Sequence, residues 1–229
     1  MDRRDFLKVS SVSLMAMGTD DVAAKMFEPS GEKKEKMVVR FLGTGAADWK
    51  GIDNRGEHRR LSSILVDNNI LFDFTAGNID MLPANCKPEV VFYTHSHNDH
   101  YHPESALKVG VEKVYLSETW YDIGKTDFEK ASKELNVQMP ELIPLYVGQP
   151  VYVNGLRVTP LPANHATSKF FEQTLIYLIE NSEARVMYAT DTAGIPAVAA
   201  RLAGIDAHDR DGKPITGLIM EATMGMDYD

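Results

Sequence analysis

The stretch His95-Ser96-His97-Asn98-Asp99-His100-Tyr101 limits what this chain can be more than any other part of it. It follows Glu89-Val90-Val91-Phe92-Tyr93-Thr94, an apolar run of strand length bounded by Pro88, so it reads as a loop at the end of a buried strand. Imidazole and carboxylate together suit zinc, iron or manganese, whereas a purely structural zinc site is more often rich in thiolate. The chain holds one cysteine, Cys86. A lone histidine would read as a surface group or a satisfied core group. Three histidines and an aspartate within six positions, directly after an apolar strand, predict a metal centre.

The rest of the chain alternates short apolar runs with turn residues. Residues 37–42 read as a strand ending in Gly43-Thr44-Gly45, where glycine permits positive φ or a close backbone approach. Residues 48–58 are polar and read as a loop over the site. Residues 64–66 and 70–74 flank Asp67-Asn68-Asn69 and predict a hairpin. A helix is expected over 103–109, with Pro103 early and Gly110 at its end, and another over 127–135. Residues 113–116 read as a strand. Asn154-Gly155 is the strongest hairpin signal and lies inside 151–161. Residues 174–179 and 185–189 make a second hairpin-like pair, 194–203 a helix, and 215–223 a last strand.

The pattern His-x-His-x-Asp-His after an apolar strand resembles the metallo-β-lactamase superfamily of dinuclear metallohydrolases. That resemblance implies an α/β fold, the αββα sandwich, with ligands on loops at one edge of two sheets. It implies that His95, His97 and His165 bind metal one, and that Asp99 and His100 bind metal two. Asp191, in Thr190-Asp191-Thr192 at a strand end, becomes the bridging carboxylate. The implied cofactor is Zn2+, two per full site, with Mn2+ or Fe2+ as alternatives. A metal-bound hydroxide would be the nucleophile, with Asp99 and Asp191 as the catalytic carboxylates. Asp73 is a candidate to brace a ligating imidazole, because such rings usually donate their other N–H to a carboxylate or carbonyl. His102, just outside the motif, reads as a pocket or surface residue.

A Gly-Thr-Gly turn after the first strand resembles the ribonuclease Z-like and phosphodiesterase branches. Arg59-Arg60-Leu61-Ser62-Ser63 resembles the carbon–phosphorus-lyase-associated phosphodiesterases, although their cysteine-rich zinc loop is absent here. The implied function is therefore hydrolysis of a phosphodiester or related phosphoester. The alternatives are a lactonase or amide hydrolase, since Asp99-His100-Tyr101-x-Pro103-Glu104-Ser105 resembles sugar-lactone hydrolases, and a non-catalytic metal-binding relative. A redox di-iron relative would need Glu where His97 stands. The family supplies a final histidine to metal two, but none follows His208, which lies in an Asp/Gly-rich turn. The expectation is that a C-terminal strand and helix portion is missing and that metal two is the weaker site.

Composition narrows the partners. A net charge of −9, from 24 basic and 33 acidic residues, argues against a nucleic acid partner and leaves a small-molecule substrate. Residues 1–24 resemble a twin-arginine export signal, with Arg3-Arg4-Asp5-Phe6-Leu7-Lys8 before a mildly apolar stretch and small residues near Ala23-Ala24. The stretch is too short and polar to span a membrane. Periplasmic or exported is the expected location, and cytoplasmic is the fallback. Residues 25–36 are charged and breaker-rich, a linker, which leaves 37–229 as the metallo-β-lactamase-like domain.

Overall fold

The computed structural model describes residues 36–45, 60–168, 171–205, 212 and 214–220. The signal-like segment 1–24, all of the linker except Lys36, the polar loop 48–58, Arg59, His208 and the end of the last strand lie outside the described residues.

Two sheets form because the strands alternate their side chains with period two and bury both faces. The first sheet has the order β1 (Val39–Gly43), β2 (Ser63–Val66), β3 (Ile70–Phe72), β4 (Val90–Phe92), β5 (Lys113–Ser117), β6 (Glu141–Leu145). β1, β2 and β3 are antiparallel neighbours, whereas β3, β4, β5 and β6 run parallel. The second sheet runs β11 (Gly217–Met220), β10 (Arg185–Ala189), β9 (Leu175–Glu180), β8 (Leu156–Pro162), β7 (Val151–Val153).

Alternation sorts the side chains into layers. Ile70, Phe72, Val90 and Phe92 meet Val158, Tyr177, Ile179 and Tyr188 between the sheets. Leu71, Val91, Tyr93 and Val114 point the other way, against Ala106, Leu107 and Phe128 of helices α1 (Pro103–Lys108) and α2 (Tyr121–Leu135). Ile176, Leu178, Met187 and Ala189 cover the outer face of the second sheet with Ala199 of α3 (Ala197–Leu202). The result is the αββα sandwich. Met37 is already buried in the layer between the sheets.

Both hairpin turns form with the residues expected of them. Asp67 and Asn68 have φ of 49° and 56°, and Asn154 and Gly155 have φ of 49° and 80°, the left-handed region that Asn, Asp and Gly tolerate best. Gly43 is required for close approach and not for positive φ: a Cβ there would lie 1.9 Å from the carbonyl oxygen of Leu61.

Several elements depart from the sequence reading. β6 is a strand that the pattern hides, because Pro144 interrupts it, and an edge strand in the sheet tolerates proline. α2 begins at Tyr121 instead of 127. Gly124 reads locally as a breaker, but here it lets the helix approach Leu116, whose Cδ1 would lie 2.5 Å from a Cβ at that position. α3 begins at Ala197 instead of 194, because Gly194 has φ of 89° and Pro196 is extended. β5 runs one residue further than expected, to Ser117. Among the described residues no helix is long and apolar enough to cross a membrane.

Candidate metal centre

The chain leaves several parallel or neighbouring strands at the same edge of the sandwich, and the polar residues that follow them converge there. Asp73 follows β3, Thr94 to His100 follow β4, His165 follows β8 and Asp191 follows β10. Leu175 N donates to Thr94 O at 2.9 Å, which pins the start of β9 in the second sheet to the end of β4 in the first.

Asp73 organises the floor of the site. It is fully buried, with φ of 52°, a conformation that aspartate adopts more readily than most residues. Its Oδ1 accepts the backbone N–H of Thr94 at 2.8 Å, and its Oδ2 accepts Tyr188 OH at 3.1 Å and pairs with His100 Nδ1 at 2.7 Å. The Thr94 hydroxyl lies 3.0 Å from both carboxylate oxygens and 2.9 Å from His95 Nδ1. A hydroxyl has one proton to give, and the carboxylate takes it, so Thr94 accepts from His95 Nδ1–H. Both His95 and His100 are thereby fixed with a proton on Nδ1 and Nε2 turned toward the cluster.

Opposite them, one oxygen of Asp191 is shared. Its Oδ2 lies 3.3 Å from His100 Nε2, 3.4 Å from His95 Nε2 and 3.6 Å from His165 Nε2. His97 turns Nδ1 inward, 3.1 Å from His95 Nε2 and 3.2 Å from His165 Nε2. His95, His97, His165 and Asp191 each present one donor atom, all within 4.8 Å of one another. His95, Asp99 and His100 form a second such set, with Asp99 Oδ2 3.3 Å from His100 Nε2. His95 thus belongs to both sets, while Asp191 touches His100 from the first.

The donor spacing fits a metal. Zinc bonded at about 2.0–2.1 Å to four tetrahedral ligands holds the donors roughly 3.4 Å apart; the four donor pairs described above at the first face are 3.1 to 3.6 Å apart, and all its donors lie within 4.8 Å of one another. The residues present therefore suit a divalent cation in chemistry and in spacing.

Protonation differs across the site. Burial, followed by the neighbouring His95, lowers the pKa of His97 and of His165. Burial also works against a charged His100, but the carboxylates of Asp73, Asp191 and Asp99 outweigh it and hold that imidazole well above its ordinary value. Burial would raise the Asp99 carboxyl, yet its contact with His100 holds it below the ordinary range.

Two sequence candidates have partners outside this set of donors. His102 caps α1 and pairs with Ser105 Oγ at 2.8 Å, with Glu104 at 3.5 Å. Arg60 pairs with Asp80 at 2.7 Å. The serines of the Arg-Arg-x-Ser-Ser run are used internally, Ser62 Oγ donating to Gly45 O at 3.1 Å and Ser63 Oγ to Asp73 O at 2.7 Å. Glu172 was not singled out by the sequence. It accepts from Ser96 N and Ser96 Oγ, both at 2.6 Å, and no local pattern announces contacts 76 residues apart. Beside His165 a hollow of about 300 Å³ is lined by Ala163, Asn164, Gln173, Ala193 and Ile195.

Comparison with known proteins gives a family match over residues 68–214, well over half of the chain, to the β-lactamase superfamily domain. No curated protein sequence matches. Among solved structures, the chain is similar to a diphosphatase from the PhnP family, with 18% identity, 75% of this chain and 72% of that one covered, and a TM-score of 0.56. It is also similar to Zn(2+)-bound PqqB from Methylobacterium extorquens, with 17% identity, 80% and 72% covered, and a TM-score of 0.60. Human tRNase Z, short form, shares 15% identity over 71% of this chain and 72% of its own, with a TM-score of 0.52.

Proposed function

From the premise that this chain belongs to the β-lactamase superfamily, we propose that it is a metal-dependent hydrolase acting on a phosphodiester or related phosphoester. One observation carries the metal reading: a single carboxylate oxygen, Asp191 Oδ2, lies 3.3 to 3.6 Å from imidazole nitrogens of His100, His95 and His165. Such sharing is the arrangement a carboxylate needs in order to bridge two cations. In this reading His95, His97 and His165 hold metal one, Asp99 and His100 hold metal two, and Asp191 binds both. Zinc suits the nitrogen-rich first face, and manganese or iron would suit the oxygen-richer second one.

Two bound divalent ions would supply Lewis acidity and a water of lowered pKa. The side chains do the rest. Asp99, kept ionised by His100, can accept a hydrogen bond from an attacking water and aim it. Asp73 and Thr94 hold His100 and His95 in the tautomers that present Nε2. The amides of Asn164 and Gln173 border the neighbouring hollow, which is large enough for part of a small substrate.

The phosphoester preference is supported by the similarity to a PhnP-family diphosphatase and to human tRNase Z. The decisive experiment is hydrolysis of a chromogenic phosphodiester, a lactone and a β-lactam by the zinc-loaded protein and by His97→Ala. Phosphodiester turnover that disappears in the variant is expected. Turnover of the lactone or β-lactam alone would replace this reading with the lactonase or amide-hydrolase one. We further propose that residues 1–24 direct export, so that changing Arg3 and Arg4 to Lys retains the protein in the cytoplasm; unchanged fractionation would remove that proposal.

A further inference from the structure

The Glu172 carboxylate sits where two loops of the site meet, and the dinuclear reading makes no use of it. Ser96, between His95 and His97, donates its backbone N–H to Glu172 Oε1 and its hydroxyl to Oε2, both at 2.6 Å. Thr167, two residues beyond His165, donates its hydroxyl to the same Oε2 at 2.8 Å. One side chain therefore ties the loop carrying His95 and His97 to the loop carrying His165.

The backbone around Glu172 is itself anchored. Gln173 N donates to Thr119 Oγ1 at 2.8 Å, Thr174 Oγ1 to His165 O at 3.1 Å, and Leu175 N to Thr94 O at 2.9 Å. A carboxylate held this way can transmit position in both directions. Hydrogen bonds to an ionised acceptor are short and roughly twice as strong as neutral ones, so three of them on one group resist separation of the loops.

We propose that Glu172 is a positioning residue that presets the His95–His97–His165 face for its cation, an inference that rests on reading that face as a metal site. The carboxylate holds the three imidazoles near their bonding distances before the ion arrives, which spares the ion the ordering of two loops. Its negative charge, held against the loop of His95 and His97, also favours a cation there. A staple for loop stability alone would act differently: its loss would lower the melting temperature of the metal-free protein and leave zinc affinity unchanged.

Calorimetric titration of the full metal-free chain with zinc separates the two. Glu172→Gln keeps the size of the side chain but puts an NH2 group where two donors point. Its affinity at the tighter site should fall roughly tenfold to a hundredfold, the range for residues that orient metal ligands. The visible absorption of its cobalt form should shift, a change in the geometry around the ion that a staple for loop stability alone would not produce. Glu172→Asp, which keeps the charge, should recover part of the loss. Thr167→Val removes one of the three bonds with little change of volume and should show a smaller loss in the same direction. Wild-type zinc affinity in both Glu172→Gln and Thr167→Val overturns the proposal, whether or not the melting temperature of the metal-free protein drops. If the wild-type chain takes up no zinc, the metal reading itself fails and this inference falls with it, a result distinct from variants that bind as wild type.

Discussion

The two faces of the site use the same residue types and are tuned in opposite directions. At the first face His97 and His165 are partly exposed, crowded by His95, and held below the ordinary imidazole pKa. At the second, His100 is buried among Asp73, Asp99 and Asp191 and held well above it. A histidine must be neutral to bind a metal. The first face therefore keeps its lone pairs free to lower pH, whereas the second holds its proton to higher pH. The difference teaches that counting ligands does not rank sites: the carboxylates that make the second face attractive to a cation also make it attractive to a proton.

The largest expected effect removes the first face. His97→Ala should abolish tight zinc binding, a loss beyond the tenfold to hundredfold seen when only a ligand's partner is changed. Elemental analysis checks it, and wild-type stoichiometry in the variant would erase the distinction between the faces.

A middle-sized effect acts on the second face. Asp73→Asn replaces one carboxylate oxygen with a nitrogen beside His100 Nδ1, so the ring loses its acceptor and its preferred tautomer. The second zinc should weaken by about tenfold to a hundredfold, and the first by less, since His95 leans on Asp73 only through Thr94. Competition with a chromophoric chelator reads both constants. Equal losses would show that the faces share one scaffold.

The smallest effect is in proton bookkeeping. Because the pKa of His100 is raised and those of His97 and His165 are lowered, filling the second face should release more protons than filling the first. Calorimetry in buffers of different ionisation enthalpy separates the two equivalents, and the second constant should strengthen as pH rises until His100 has titrated. The metal-free fold should show the matching signs. His100 contributes stability that is fully present below about pH 6.5 and lost as pH rises through its folded value. His97 and His165 oppose folding only as pH falls below about 6.5 toward their lowered values. Equal proton release at both steps would contradict the contrast.

The fold was legible where neighbours in sequence decide it. The apolar runs in 70–74 and 174–179, and the turns at Asp67-Asn68 and Asn154-Gly155, each carry their own geometry. β6 was not legible, since Pro144 is forbidden in most strands and permitted here only by an edge. The early start of α2 was hidden by Gly124, whose value depends on Leu116 in another element.

For the site, the sequence offered the three histidines and the aspartate after β4 as one cluster, whereas His165 and Asp191 were reached only through the family resemblance. Spacing in a chain is local information, and short motifs record it. Only the tertiary structure decided that Asp73 fixes His100 directly and His95 through Thr94, that one oxygen of Asp191 faces both sets, and that Arg60 pairs with Asp80. It also decided that Glu172 closes the gap to Ser96. The Glu172–Ser96 contact joins residues 76 positions apart, and a hydrogen bond is set by distance and angle in space, which a sequence specifies only after the whole sandwich has folded.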